Sequence, residues 1–114
     1  MLERLTERII DFRRDRDWEQ FHRPKELAAG LAIEAAELQE LFLWREGELS
    51  TEIVVDEERH QRIAEEIGDI GIFLLMLCHD LGLDLETAVE AKLEKNASRY
   101  PVGEYKGQAR KAPH

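Results

Sequence analysis

At 114 residues the chain has room for one domain with a modest core, and not for two. Its net charge of −9 argues against a nucleic-acid backbone or an anionic membrane as the main partner, unless divalent metal mediates the contact. Hydrophobic residues at 43% and charged residues at 36% suit a helical bundle with solvated outer faces.

In chain order, a first predicted helix runs from Leu2 to Trp18 or Phe21, with Leu5, Ile9 and Phe12 on related faces. Phe21-His22-Arg23-Pro24 breaks it, and Pro24 suits the first turn of a second helix that reaches Trp44 or Glu46 before Gly47 stops it. Residues 47–55 are expected to form a loop, because the β-like run Ile53-Val54-Val55 is short and isolated. A third helix is expected from Asp56 to Leu81, capped near Asp56 with Glu57 and Glu58 favourable in its first turn. Gly82 and Asp84 mark a tight turn into a fourth helix, from Leu85 to Ser98, closed by Pro101 and Gly103. The tail from Glu104 to His114 lacks apolar periodicity, so the expected layout is one domain over residues 1–100 and a flexible tail over 101–114. Met1-Leu2-Glu3-Arg4 has no apolar signal core, and the longest apolar run, Ile70 to Cys78, is nine residues. A single cysteine, Cys78, beside Leu75, Met76 and Leu77 reads as a buried structural thiol in a cytoplasmic protein.

Two carboxylate pairs carry the chemistry: Glu34-x-x-Glu37 and Glu66-x-x-Asp69. On a helix turning about 100° per residue, Leu27, Leu31, Leu38 and Leu41 all fall within roughly 60° of Glu34. Glu34 thus lies within an apolar stripe, where an unpaired charge is costly and something must compensate it. Glu66 and Asp69 border a second stripe, made by Ile63, Ile67, Ile70, Leu74, Leu77 and Leu81. Residues three apart share a face, so two such helices packed together converge four carboxylates. Hard oxygen donors without a thiolate suit Mg²⁺, with Mn²⁺ as a substitute. The structural alternative is a rotated helix in which Glu34 meets an arginine or lysine. A di-iron reading through Glu19-x-x-His22 and Glu57-x-x-His60 fails on geometry, since Glu57 and His60 lie about half a turn around their helix from Glu66 and Asp69.

Lys92, Asn96 and Arg99 recur at i, i+4 and i+7, a polar cationic stripe suited to phosphate oxygens or simply to solvent. Trp18, His22 and Trp44 cluster near helix ends, where rings either pack a core or stack on a nucleobase. Phe73, four residues after Asp69, shares its face and is placed to close a pocket beside the carboxylates. Arg13, Arg14 and Arg16 read as a solvated flank or an intersubunit surface, and His60 and His79 as surface or capping residues. With no phosphate-binding glycine loop and no dinucleotide fingerprint, any phosphate chemistry must run through metal-bound carboxylates.

Arg16-Asp17-Trp18-Glu19-Gln20-Phe21-His22, Glu34-Ala35-Ala36-Glu37-Leu38, Leu41-Phe42-Leu43-Trp44, Glu65-Glu66-Ile67-Gly68-Asp69 and the run from Lys92 to Pro101 together resemble the MazG-like all-α nucleotide pyrophosphohydrolases, nearest to their dCTP pyrophosphatase branch. The resemblance implies an all-α, four-helix bundle that associates into a dimer or tetramer, and Mg²⁺ held by Glu34, Glu37, Glu66 and Asp69. It implies catalysis through Glu34 or Glu37, a base pocket lined by Trp18, His22 and Trp44, and phosphate or sugar contacts from Lys92, Asn96, Arg99 and Tyr100. The expected substrate is a (deoxy)nucleoside triphosphate, dCTP-like or a modified pyrimidine, cleaved to monophosphate and pyrophosphate. Phe73 stands where dCTP-specific relatives carry a tyrosine, and a missing hydroxyl weakens selection by hydrogen bonding. Two alternatives stand beside this: a related enzyme acting on dUTP or phosphoribosyl-ATP, and a non-catalytic acidic helical interaction module.

Overall fold

A computed structural model describes residues 2–113, and among them every regular element is helical. The elements are α1 (Leu2–Asp15), a 3₁₀ turn (Glu19–Phe21), α2 (Pro24–Glu40), α3 (Ser50–Val54), α4 (Glu57–Asp80), α5 (Leu85–Arg99) and α6 (Val102–Tyr105). The chain divides into two compact units, Met1–Leu81 and Gly82–His114. No helix of the described residues is long and apolar enough to cross a membrane.

In the first unit α2 packs along α4, and α1 and α3 pack on α4 as well. The leucine stripe of α2 faces inward as its spacing requires: Leu27 is completely buried, and Leu31, Leu38 and Leu41 are half-buried. On α4 the buried residues are Ile63, Leu75 and Met76, with Ile70, Leu74 and Leu77 half-buried. The expected stripe is therefore only partly covered: Ile67 is 54% and Leu81 51% exposed. Cys78 is half-buried and not sealed in a core, because the buried face of α4 there is carried by Leu75 and Met76.

The structure departs from the sequence pattern at two helix ends and in one expected loop. Helix α1 stops at Asp15, short of Trp18, in a left-handed cap: Asp17 has φ 54°, Trp18 N–H donates to the Arg13 carbonyl (3.1 Å) and Asp17 N–H to that of Arg14 (3.0 Å). This is the 6→1 and 5→2 pair of a Schellman ending, with aspartate in the position glycine usually fills. Helix α2 stops at Glu40, before Trp44: the N–H groups of Leu41, Phe42 and Leu43 turn to the carbonyls three residues back (3.1, 3.0 and 3.3 Å), and the Leu41 carbonyl is taken by the Arg59 guanidinium (2.8 Å). The chain then turns through Trp44 (φ 69°) and Gly47 (φ 67°). The predicted loop over 47–55 contains helix α3, whose Leu49 N–H is met by the Glu52 carboxylate (3.4 Å). At α4 the Asp56 side chain accepts the Arg59 N–H (3.2 Å), the expected cap.

Two buried arginines tie this unit. Arg59 holds Glu48 through both guanidinium nitrogens as well as the Leu41 carbonyl, fixing the α2–α3 connection to α4. Arg13 is 5% exposed and pairs bidentately with Asp80 at the end of α4 (2.8 and 2.9 Å). Its place in a solvated flank, as the sequence suggested, is thus corrected: its partner lies 67 residues away, beyond the reach of any local pattern.

In the second unit Asp84 caps α5 by accepting the Thr87 N–H and hydroxyl (3.0 and 2.8 Å). The segment after Pro101 carries more structure than its lack of periodicity implied. It forms α6, stacks Tyr105 edge-on to Tyr100 (4.9 Å), and brings Ala112 back to α5, its N–H on the Tyr100 hydroxyl and its carbonyl on Arg99 (both 3.1 Å).

Candidate metal centre

Helices α2 and α4 bring Glu34, Glu37 and Glu66 together, so that one carboxylate oxygen from each lies within 4.8 Å of the others. Glu34 and Glu66 are half-buried and Glu37 is exposed. Among the described residues no arginine or lysine pairs with Glu34, against the structural alternative of a buried ion pair. One oxygen of Glu34 and one of Glu66 are buried without a hydrogen-bond donor. Two carboxylates offer only acceptors, so they can bond to each other only by sharing a proton. That sharing with Glu66 is the main reason the Glu34 carboxyl is pushed up to about 7; burial, a similar bond to Glu37 and the charges of Glu37 and Asp69 add to it. Asp69, one turn beyond Glu66 and exposed, thus reaches the cluster through its charge, not as a fourth member of the close group.

A hard divalent cation is the natural partner for this set. It would satisfy the orphaned oxygens, relieve the mutual repulsion and displace the shared proton, and the donors are oxygen only. On α4, the Phe73 ring lies against Gly30 of α2. A Cβ on Gly30 would stand 2.7 and 2.8 Å from carbons of the Phe73 ring, so the ring lies in a notch that glycine leaves on α2, one turn before Glu34. Sequence reading picked out Phe73 but missed Gly30; a glycine inside a strong helical pattern was the available signal.

Of the aromatic candidates, Trp18 and His22 come together, with ring centroids 6.2 Å apart in an edge contact, and Phe12 meets Trp18 at 5.8 Å. The Nδ1 of His22 is buried and lacks a partner. Burial holds its pKa below the usual histidine range; nearby Arg13 adds to this and Asp80 opposes it. Trp44 stands apart from these ring contacts, 96% exposed in its left-handed turn. In the second unit, Lys92 is exposed and Asn96, Arg99 and Tyr100 are half-buried on α5 or at its end, with Arg99 and Tyr100 engaged by Ala112.

The family model described as MazG-like matches residues 30–113, a span that includes both carboxylate pairs. The chain is similar to dCTP pyrophosphatase 1 of Bos taurus, 37% identical over 108 residues, covering 95% of this chain and 64% of that protein. With dCTP pyrophosphatase 1 of Homo sapiens the identity is 37% over 111 residues, covering 96% and 65%. The chain thus spans less than two thirds of the length of these relatives. Among solved structures, a pyrophosphatase from Archaeoglobus fulgidus superposes with a TM-score of 0.78 at 40% identity, covering 87% of this chain and 91% of that one. A carboxylate centre on two packed helices, a family match running through it, and relatives at this identity over nearly the whole chain lead to one conclusion: the chain belongs to the MazG-like family.

Proposed function

We propose that the chain hydrolyses a (deoxy)nucleoside triphosphate, dCTP-like or with a modified pyrimidine, to the monophosphate and pyrophosphate. The observation that carries this is the uncompensated carboxylate cluster of α2 and α4, in a chain similar to dCTP pyrophosphatases and to a pyrophosphatase of known structure. Glu34, Glu37, Glu66 and Asp69 would hold Mg²⁺, or Mn²⁺ in its place. When bound, such a cation neutralises triphosphate charge and makes water a better nucleophile. Glu34 and Glu37 share one face, and one of them would accept the proton of the attacking water. Trp18 and His22 meet in geometry that would flank a base, and exposed Trp44 would add a second aromatic surface. Lys92, Asn96, Arg99 and Tyr100 are assigned to phosphate and sugar from their stripe and from the family motif. Phe73 supplies shape without a hydroxyl, so discrimination between ribose and deoxyribose should be weak.

Self-association as a dimer or tetramer belongs to the same proposal. Ile33, Ile67 and Ile72, on the helices that carry the carboxylates, are each more than 40% exposed. Light scattering at micromolar concentration should give a multimer; a monomer would refute this.

The test is product analysis with pure protein, Mg²⁺ and a panel of canonical and 5-modified nucleoside triphosphates. Monophosphate plus pyrophosphate is expected. Diphosphate plus orthophosphate would mean that another phosphorus is attacked. No turnover, with EDTA leaving the melting temperature unchanged, would favour the interaction module instead.

A further inference from the structure

The Arg13–Asp80 pair does something that a tie between α1 and α4 alone does not require. Arg13 works with both ends. Its carbonyl accepts the N–H groups of Trp18 (3.1 Å) and Arg16 (3.3 Å), while its guanidinium grips both oxygens of Asp80 (2.8 and 2.9 Å). The side chain of Arg13 is 6% exposed and that of Asp80 21%, so solvent screening is slight. The segment between α1 and α2 is therefore anchored to the last residue of α4 through the residue whose carbonyl accepts the Trp18 N–H. Trp18 in turn lies against Phe12 on one side and His22 on the other. His22 is near enough to the pair for both Arg13 and Asp80 to act on its proton affinity, in opposite senses.

We infer that Arg13 and Asp80 are positioning residues for nucleotide specificity, fixing Trp18 and His22 in the arrangement that receives the base. The inference rests on the reading of Trp18 and His22 as base-facing. It assigns a role to two residues that touch neither substrate nor metal. The pair lies outside the carboxylate cluster, so its loss should spare cation binding and the chemical step. Its effect should fall on recognition of the base.

A buried pair can be removed without unfolding the protein if both members become apolar, whereas removing one strands a charge. The decisive variant is therefore the double one, Arg13→Met with Asp80→Leu, compared with Arg13→Met alone. The single variant should lower the melting temperature, and the double should recover most of it. In the double variant, KM for dCTP should nevertheless stay raised by about tenfold while kcat changes by less than about twofold. The Mg²⁺-induced rise in melting temperature should be that of the wild type. With Trp44→Phe in both backgrounds, Trp18 becomes the only tryptophan, and acrylamide should quench it more strongly when the pair is absent. A KM that recovers together with the melting temperature would overturn the inference and leave the pair as a structural tie. If the double variant does not fold, Arg13→Lys decides. It keeps the charge and loses the fork, and a raised KM at unchanged kcat supports positioning while an unchanged KM overturns it. Wild-type protein that neither turns over dCTP nor shows Trp18 quenching by it would instead remove the base-pocket reading beneath, an outcome visible before any pair variant is made.

Discussion

Helix α4 contributes to two carboxylate environments about four turns apart, and Asp80 in one and Glu34 of α2 in the other titrate in opposite directions. At its end, Asp80 meets the Arg13 guanidinium, which with the adjacent His79 holds its carboxyl below the usual range against the opposing effect of burial. In its middle, Glu66 faces Glu34 across the α2–α4 contact with no cation, and Glu34 rises to about 7. Glu48 is likewise a partly buried carboxylate paired with its own arginine, Arg59. The chain thus has the means to neutralise buried acids and uses them twice within one unit. Among the described residues Glu34 and Glu66 have no basic partner, and each keeps one buried oxygen without a hydrogen-bond donor, which is the contrast the proposed metal centre rests on.

The largest effect that would sharpen this contrast is on turnover. Glu37→Gln or Asp69→Asn should reduce hydrolysis by roughly 100-fold or more while far-UV circular dichroism stays helical, since neither side chain is buried. Wild-type rates in either variant would end the metal-centre assignment. Stability should then split the two environments by sign. Asp80→Leu strands the Arg13 charge and should cost about 3 kcal/mol or more in urea unfolding. Glu34→Gln removes an uncompensated charge and should raise the melting temperature of the metal-free protein while weakening its response to Mg²⁺. If both substitutions shift stability in the same direction, the contrast between the two carboxylates does not hold.

Gly30→Ala is a smaller perturbation of the same centre. The new methyl would meet the Phe73 ring at 2.7 to 2.8 Å, and one turn of α2 separates it from Glu34. Forcing the ring aside should cost about 1–3 kcal/mol. Combining Gly30→Ala with Phe73→Leu should return part of it, measured as a double-mutant cycle. An additive result would mean that the ring and the notch are not coupled.

What the sequence displayed was periodicity, and periodicity was enough for Glu34. A glutamate among Leu27, Leu31, Leu38 and Leu41 is conspicuous because one helix supplies both the stripe and the anomaly. The same logic located α4 and its Asp56 cap. It failed where the determining partner is remote. Arg13 looked like one arginine among several until Asp80 was beside it, and α2 ends at Glu40 ahead of Gly47, with the following Leu41 carbonyl held by the distant Arg59. It also overstated the core: Ile67 and Leu81 keep helical phase with Ile63 but stay more than half exposed, since phase fixes a direction and not what covers it.

The smallest expected effect tests the contrast through pH. Glu34 has a folded pKa of about 7 against an ordinary 4.5. Its protonated form is the one the fold favours, so its contribution is complete below about 4.5 and is lost as pH rises through about 7. Asp80 is the reverse: its folded pKa is depressed, so its contribution is present above 3.8 and lost as pH falls through the lower folded value. His22 complicates the neutral range, because its lowered pKa makes a contribution that is present above 6.5 and lost on acidification. The quantity to follow is therefore the melting temperature of metal-free wild type minus that of Glu34→Gln, in which His22 and Asp80 cancel. That difference should become more negative between pH 4.5 and 7. Saturating Mg²⁺ should reverse its slope, because cation binding releases the proton that Glu34 shares with Glu66. A flat difference would mean that Glu34 is compensated by something other than a proton, and the contrast between the Glu34–Glu66 contact and the Arg13–Asp80 pair would be lost.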